Sequence, residues 1–188
     1  TLVDVGLSIA NDAKPHDSLD RLLTAAVELT YFRAAAFFLI DPAVNSVNLR
    51  GVAGIDGDSI PQTRRPLEAG TPDLTALANG QVLVRSDKSK NGDRWLPNEM
   101  SVGLCVAVQS EAGPLGTLWV YDRRLRMPEK REEAAIESIV AQLATVLERV
   151  VLLRESESQH RMQRDLQSAS ESQPDAASSG FSKHCGGA

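Results

Sequence analysis

The sequence predicts an α/β (α+β) domain: a central antiparallel sheet of about five strands, helices on one face, a connector and short helix over the other, and a long C-terminal helix. Three observations carry this. Short apolar runs are punctuated by turn residues, as at Asp41-Pro42 and Gly113-Pro114. Two segments, 17–30 and 129–153, repeat apolar residues at helical spacing. The strand segments are apolar at successive positions rather than alternate ones, which calls for cover on both faces of the sheet.

In chain order, Leu2, Val5, Ile9 and Ala13 share one helical stripe, so residues 1–16 read as a lead-in with a short helix that Pro15 interrupts. Asp17 or Ser18 can cap a second helix whose buried stripe is Leu19, Leu22, Leu23, Ala26 and Val27. "AAAFFLID" and "SVNLRGVAG" make a first hairpin across "DPAVN". The turn-rich 55–73 is a connector, "LTALANG" a short helix closed by Gly80, and "QVLVRS" a third strand. Residues 87–100 read as a polar loop. "SVGLCVAVQ" and "TLWVYDR" form the last hairpin, around "EAGPLG". The exit helix starts near Pro128, and past Ser168 the tail has too little apolar content to fold alone.

Composition narrows the function. With 25 acidic against 20 basic residues, the chain carries no general attraction for nucleic acid or anionic membrane. No apolar run approaches the roughly 18 residues that span a bilayer, and the start lacks the basic region of a signal peptide; the expectation is a cytoplasmic protein. His184-Cys185 offers two adjacent ligands where a structural zinc needs about four, so no metal site is expected. "GVAGIDGDS" lacks the lysine of a nucleoside-triphosphate loop and reads as a strand end with a turn. Arg123, Arg124, Arg126, Lys130 and Arg131 in "DRRLRMPEKR" read as a solvated basic turn.

The order of elements resembles a GAF domain, a small-ligand regulatory module similar in plan to a PAS domain. "SLDRLLTAAVEL" is similar to that family's first helix and "AAAFFLIDPAVNSVNLRGVAG" to its first hairpin. "RRPLEAGTPDLTALANGQVLV" resembles its connector, short helix and following strand. "SVGLCVAVQSEAGPLGTLWVYDRR" and "EKREEAAIESIVAQLATVLERVVLLRE" resemble its last hairpin and exit helix. Gln81 departs from the family's usual proline, and Met127 from its Ser or Thr cap. The resemblance gives boundaries of 17–155 for the sensory domain, 156–173 for a helical linker and 174–188 for a flexible tail or the start of a further domain.

It also implies a non-catalytic sensory domain of a bacterial signalling protein, with an unknown small effector held over the sheet. Candidate ligand residues are Leu74, Leu77, Asp93, Arg94, Trp95, Met100, Cys105, Trp119 and Tyr121. Trp119 and Tyr121 alternate onto one strand face and either wall a pocket or fill a core. Cys105 is a packing residue or a redox contact; some family members reduce free methionine sulfoxide with several cysteines, or hold a bilin through one. A redox enzyme and a ligand-free dimerisation spacer are the alternatives. No residue pair names a cofactor.

The exit helix repeats Ile136, Leu143 and Val150 every seven residues, with Ile139, Val146 and Leu153 three positions after them. This a/d pattern predicts a homodimer through 129–153, while Val140, Leu147 and Val151 add a second edge for the sheet. Beyond Leu153 the register shifts to Met162, Leu166 and Ala169. "RDLQSASESQ" resembles the helix that precedes bacterial serine/threonine phosphatase domains. With the Thr start, this gives the expectation of a longer polypeptide whose output is a phosphatase or, failing that, a histidine kinase.

Overall fold

The computed structural model describes residues 13–86 and 94–171, with side chains at 17–86, 94–150 and 159–169. The expected lead-in helix over 2–13 and Asp93 lie outside the described residues. The chain divides into a unit ending at Leu152 and a second from Leu153 onward.

Helix α1, Ala13–Thr30, carries Pro15 in its first turn, where a missing N–H breaks no intrahelical bond. Strands β1 (Ala34–Asp41) and β2 (Ser46–Ala53) form the first hairpin; Asp41 Oδ1 accepts the Ala43 N–H in its turn. A single turn of 3₁₀ helix at Gly57–Ser59 precedes β3, Arg64–Pro66, which adds to the outer edge of β2. Helix α2, Pro72–Asn79, has proline at its first position and ends at Gly80, whose φ of 90° is open to a residue without a Cβ. Strands β4 (Gln81–Arg85), β5 (Val102–Ser110) and β6 (Gly113–Asp122) follow, then α3, Lys130–Glu171.

The sheet is six-stranded, in the order β3-β2-β1-β6-β5-β4, and every pairing is antiparallel. The additional strand is β3. Its three residues show no apolar alternation, so nothing in the sequence separates it from the connector. Strand β6 also begins earlier than expected, because the turn after β5 needs only Glu111 and Ala112.

Both faces are covered, which explains the unbroken apolar strands. Ala35, Phe37 and Leu39 of β1 and Leu118 and Val120 of β6 point to the helices, where they meet Leu19, Leu23 and Ala26 of α1 and Ile136, Ile139, Leu143, Leu147 and Val150 of α3. Ala34, Ala36 and Phe38, with Trp119 and Tyr121, point the other way, to Leu67, Ala76, Trp95, Leu96 and Met100. The α3 residues expected to form a dimer seam are therefore taken up, at four of six positions, by the domain's own core: Ile136, Ile139, Leu143 and Val150 are all buried in the single chain. Val146 is half-buried, and the side chain of Leu153 lies outside the described set. In the second unit, Met162 and Leu166 are exposed.

Candidate functional site

The connector, α2 and the last hairpin bring a polar cluster into the layer opposite the helices. Strand β3 sets Arg65 opposite Val47 and turns its side chain inward, where it is 0% exposed. Its Nε donates to the Gln62 carbonyl at 3.1 Å, and its Nη2 to the carbonyls of Pro61 (3.2 Å) and Trp95 (3.4 Å). The guanidinium carbon lies 4.1 Å from the Phe38 ring centroid, 4.9 Å from that of Trp119 and 5.6 Å from that of Trp95. Such a cation among aromatic faces is favourable once water is excluded.

The anion is Asp73, in the first turn of α2 and also 0% exposed. A carboxylate there meets the positive end of the helix. Its Oδ1 accepts from Thr117 Oγ1 at 2.6 Å and Trp119 Nε1 at 2.8 Å, with Cys105 Sγ at 3.8 Å. Residues two apart on β6 share a face, so Thr117, Trp119 and Tyr121 line this layer together, and Cys105 stands opposite Trp119 in register. Trp119 and Tyr121 stack with centroids 5.6 Å apart.

Satisfaction is incomplete. Arg65 Nη1 and Asp73 Oδ2 approach to 3.6 Å, an ion pair too long for a good hydrogen bond. Neither atom has another hydrogen-bond partner, and the Tyr121 hydroxyl, buried beside them, has only the Arg65 guanidinium as a hydrogen-bonding neighbour, short of a well-formed hydrogen bond. Burial pushes the Tyr121 phenol up, against the opposing field of Arg65, so the hydroxyl stays protonated. Burial first, and then the Asp73 charge, push the Cys105 thiol well above its ordinary value. Cys105 is thus a neutral thiol, the reverse of an activated nucleophile.

Of the expected ligand residues, Trp95, Met100, Cys105, Trp119 and Tyr121 lie buried in this one layer, and Leu74 and Leu77 pack against it half-buried. Arg94 is exposed, its guanidinium 5.6 Å from the Trp95 centroid. The volume expected between these walls is occupied by the Arg65 side chain. Arg65, Asp73, Thr117 and Phe38 were not legible as site residues. The one available signal was an Asp directly after a helix-initiating Pro, followed by a hydroxyl and an indole at alternate strand positions. A surface cleft of about 760 Å³ lies elsewhere, between the end of α1 and the start of α3.

Among the described residues no group of His, Cys, Asp and Glu could hold a metal, and no helix is long and apolar enough to cross a membrane. No curated protein is similar enough to the chain to count as a relative. Solved structures are similar in fold. The GAF domain of an Acinetobacter phosphoenolpyruvate-protein phosphotransferase matches with a TM-score of 0.63 at 20% identity, over 80% of this chain and 92% of that one. The GAF domain of a two-component sensor histidine kinase from Bacillus halodurans matches with 0.60 at 16% identity, over 73% and 96%. The free methionine-R-sulfoxide reductase of Neisseria meningitidis, solved in complex with its substrate, matches with 0.60 at 16% identity, over 81% and 89%. The GAF domain model itself matches residues 14–147, from α1 through the sheet to the part of α3 that packs on it, and the chain belongs to the GAF domain family.

Proposed function

We propose that this chain is the non-catalytic sensory domain of a bacterial signal-transduction protein, working in the cytoplasm, which takes a small effector at the Arg65–Asp73–Tyr121 cluster. The observation that carries the reading is that Arg65 Nη1, Asp73 Oδ2 and the Tyr121 hydroxyl meet in one buried cluster without a well-formed hydrogen bond at any of the three. A buried polar group with no hydrogen bond costs about 1–3 kcal/mol, and here the Arg65–Asp73 attraction offsets only part of that cost. An effector offering an acceptor to Arg65 and Tyr121 and a donor to Asp73 would recover that energy only in the bound state. It would thereby favour one packing of the layer over another, which is what a switch requires. Similarity in fold to the GAF domain of a sensor histidine kinase supports a signalling role. The shift would pass through α3, as part of a homodimer, to an output domain such as a serine/threonine phosphatase or a histidine kinase.

The neutral, buried Cys105 thiol supports a binding role over a methionine-sulfoxide-reductase chemistry. A thiol-coupled turnover that disappears in Cys105→Ser would reverse that preference. The ligand-free spacer is the second reading, favoured by the complete enclosure of the Arg65 guanidinium between Phe38, Trp95 and Trp119.

A thermal-shift screen of nucleotides, amino acids and tetrapyrroles on the full chain separates the two. A ligand at about 100 times its dissociation constant adds roughly 2.7 kcal/mol to the folded state. The expected result is a compound whose shift is lost in Tyr121→Phe, which removes one hydroxyl from the layer and keeps the ring. No shift across the screen leaves the spacer reading in place.

A further inference from the structure

The basic residues of the turn "DRRLRMPEKR" are exposed in the folded chain, apart from the partly buried Arg126, but their charges are not dispersed. With Arg33, its arginines Arg123, Arg124, Arg126 and Arg131 line the cleft of about 760 Å³, on Val27 and Phe32 and beside Tyr31. Five arginines there face three carboxylates, Asp122, Glu129 and Glu132, in a chain whose overall charge is -5.

Their pairing separates the arginines into two groups. Arg126 is structural: it donates to Asp122 Oδ2 at 2.7 Å, to both Glu132 oxygens at 2.7 and 3.0 Å and to the Thr30 carbonyl at 3.1 Å, and stacks 4.2 Å from the Phe32 centroid. It neutralises two of the three carboxylates. Arg123 reaches out to Glu99. Arg33, Arg124 and Arg131 have no ion-pair partner among the described residues. They come from three separate segments, the entry to β1, the end of β6 and the first turn of α3. The topology thus brings three arginines without ion-pair partners to the lining of one concavity, and the guanidinium fork suits phosphate oxygens.

Tyr31 adds a second, independent feature. It directly follows the last residue of α1 with φ of 53°, the left-handed position where glycine or asparagine sits at least cost, yet its side chain is 74% exposed. A bulky residue in that conformation is unusual, and packing does not account for it. Tyr31 is one of the residues that line the cleft, and its exposure leaves it open to contact.

We propose that this cleft is a binding site for a nucleotide, with phosphates on Arg33, Arg124 and Arg131 and the base against Tyr31. The volume falls within the roughly 300–1,000 Å³ usual for small-ligand sites. The site shares no lining residue with the Arg65–Asp73 layer and does not depend on the reading of that layer.

The test is calorimetric titration of the full chain with ADP, tripolyphosphate and adenosine. ADP should bind, with tripolyphosphate and adenosine each about tenfold weaker, since base stacking and charge-assisted hydrogen bonds each contribute on that order. Arg124→Glu with Arg131→Glu should weaken ADP at least about tenfold, and 0.5 M NaCl should weaken it further. Glu129→Gln, which removes the one lining carboxylate that Arg126 does not hold, should tighten it. Tyr31→Gly should weaken ADP while leaving the melting temperature equal or higher, a combination that a merely structural tyrosine would not give. All these side chains are exposed, so the variants should fold. The proposal is overturned by absence of ADP binding at millimolar concentration, by affinity unchanged in the charge-reversed or Tyr31→Gly variants, or by hexaglutamate competing as well as ADP, which would make the cleft a dock for acidic peptides.

Discussion

The Arg65 guanidinium and the Asp73 carboxylate face one another 3.6 Å apart, with neither side chain reaching solvent. They join two segments, β3 and α2, that otherwise have little regular structure between them. Breaking such a pair leaves an uncompensated charge in an apolar layer, and Asp73→Asn should destabilise the domain by about 3–5 kcal/mol. Asparagine can still accept from Thr117 and Trp119, so the loss isolates the charge. Adding Arg65→Met to Asp73→Asn should recover at least about 1 kcal/mol in a denaturant double-mutant cycle. Additive losses would show that the two charges are not coupled.

Two strand glycines rank the tolerance of the sheet. A Cβ at Gly116 would lie 2.1 Å from the Phe38 carbonyl oxygen, so backbone must move. At Gly51 the nearest atoms are the ends of Leu23 and Leu19, at 2.8 and 3.2 Å, which can rotate away. Gly116→Ala should therefore cost about 3 kcal/mol and Gly51→Ala about 1 kcal/mol or less. Urea unfolding of both variants checks the order, and equal losses would contradict it.

The elements with strong local signals were legible in the sequence. The apolar run at 34–41, the two hairpins, the short helix closed by Gly80 (expected from Leu74, two residues inside its actual start at Pro72) and the amphipathic start of α3 each carry period or turn chemistry that needs no tertiary knowledge. The Arg65–Asp73 layer was hidden for the opposite reason. An arginine in "QTRRPLEAG" reads as exposed because burial is supplied by Phe38, Trp95 and Trp119, which come from remote parts of the chain. The same gap affected the exit helix. A heptad of apolar residues looks alike whether it meets a partner helix or its own sheet, and here Ile136, Ile139, Leu143 and Val150 meet the sheet and α1.

Arg126 predicts how stability follows pH. Burial alone would raise the Asp122 and Glu132 carboxyls; the Arg126 hydrogen bonds and the Arg124 and Glu129 amides outweigh it and hold both below their ordinary range. A carboxyl depressed in the folded state stabilises fully above its unfolded pKa, and that contribution is lost as pH falls through the lower, folded value. The Arg126→Met variant should be less stable than wild type by about 2 kcal/mol at pH 7. The gap should narrow below about pH 4, as the carboxyls protonate. Melting curves from pH 7 to pH 3 measure it, and a constant gap would locate the effect in lost packing on Phe32.

Assembly is the property for which burial changes the choice of experiment. Leu143 is 1% exposed within the chain, so Leu143→Asp would put a charge into the domain's own core and should unfold it, whatever the oligomeric state. Val146 is half-buried and lies outside the cluster that Leu143 joins. If α3 pairs with a second copy, its sheet-facing residues are spent and the contact must use the remaining side, where Val146 is the heptad position left over among the described side chains. Sedimentation at micromolar concentration should then show a dimer for wild type and a monomer for Val146→Glu, with the melting temperature of the variant at most a few degrees lower. A wild-type monomer, or a Val146→Glu dimer of unchanged affinity, would remove α3 from the interface.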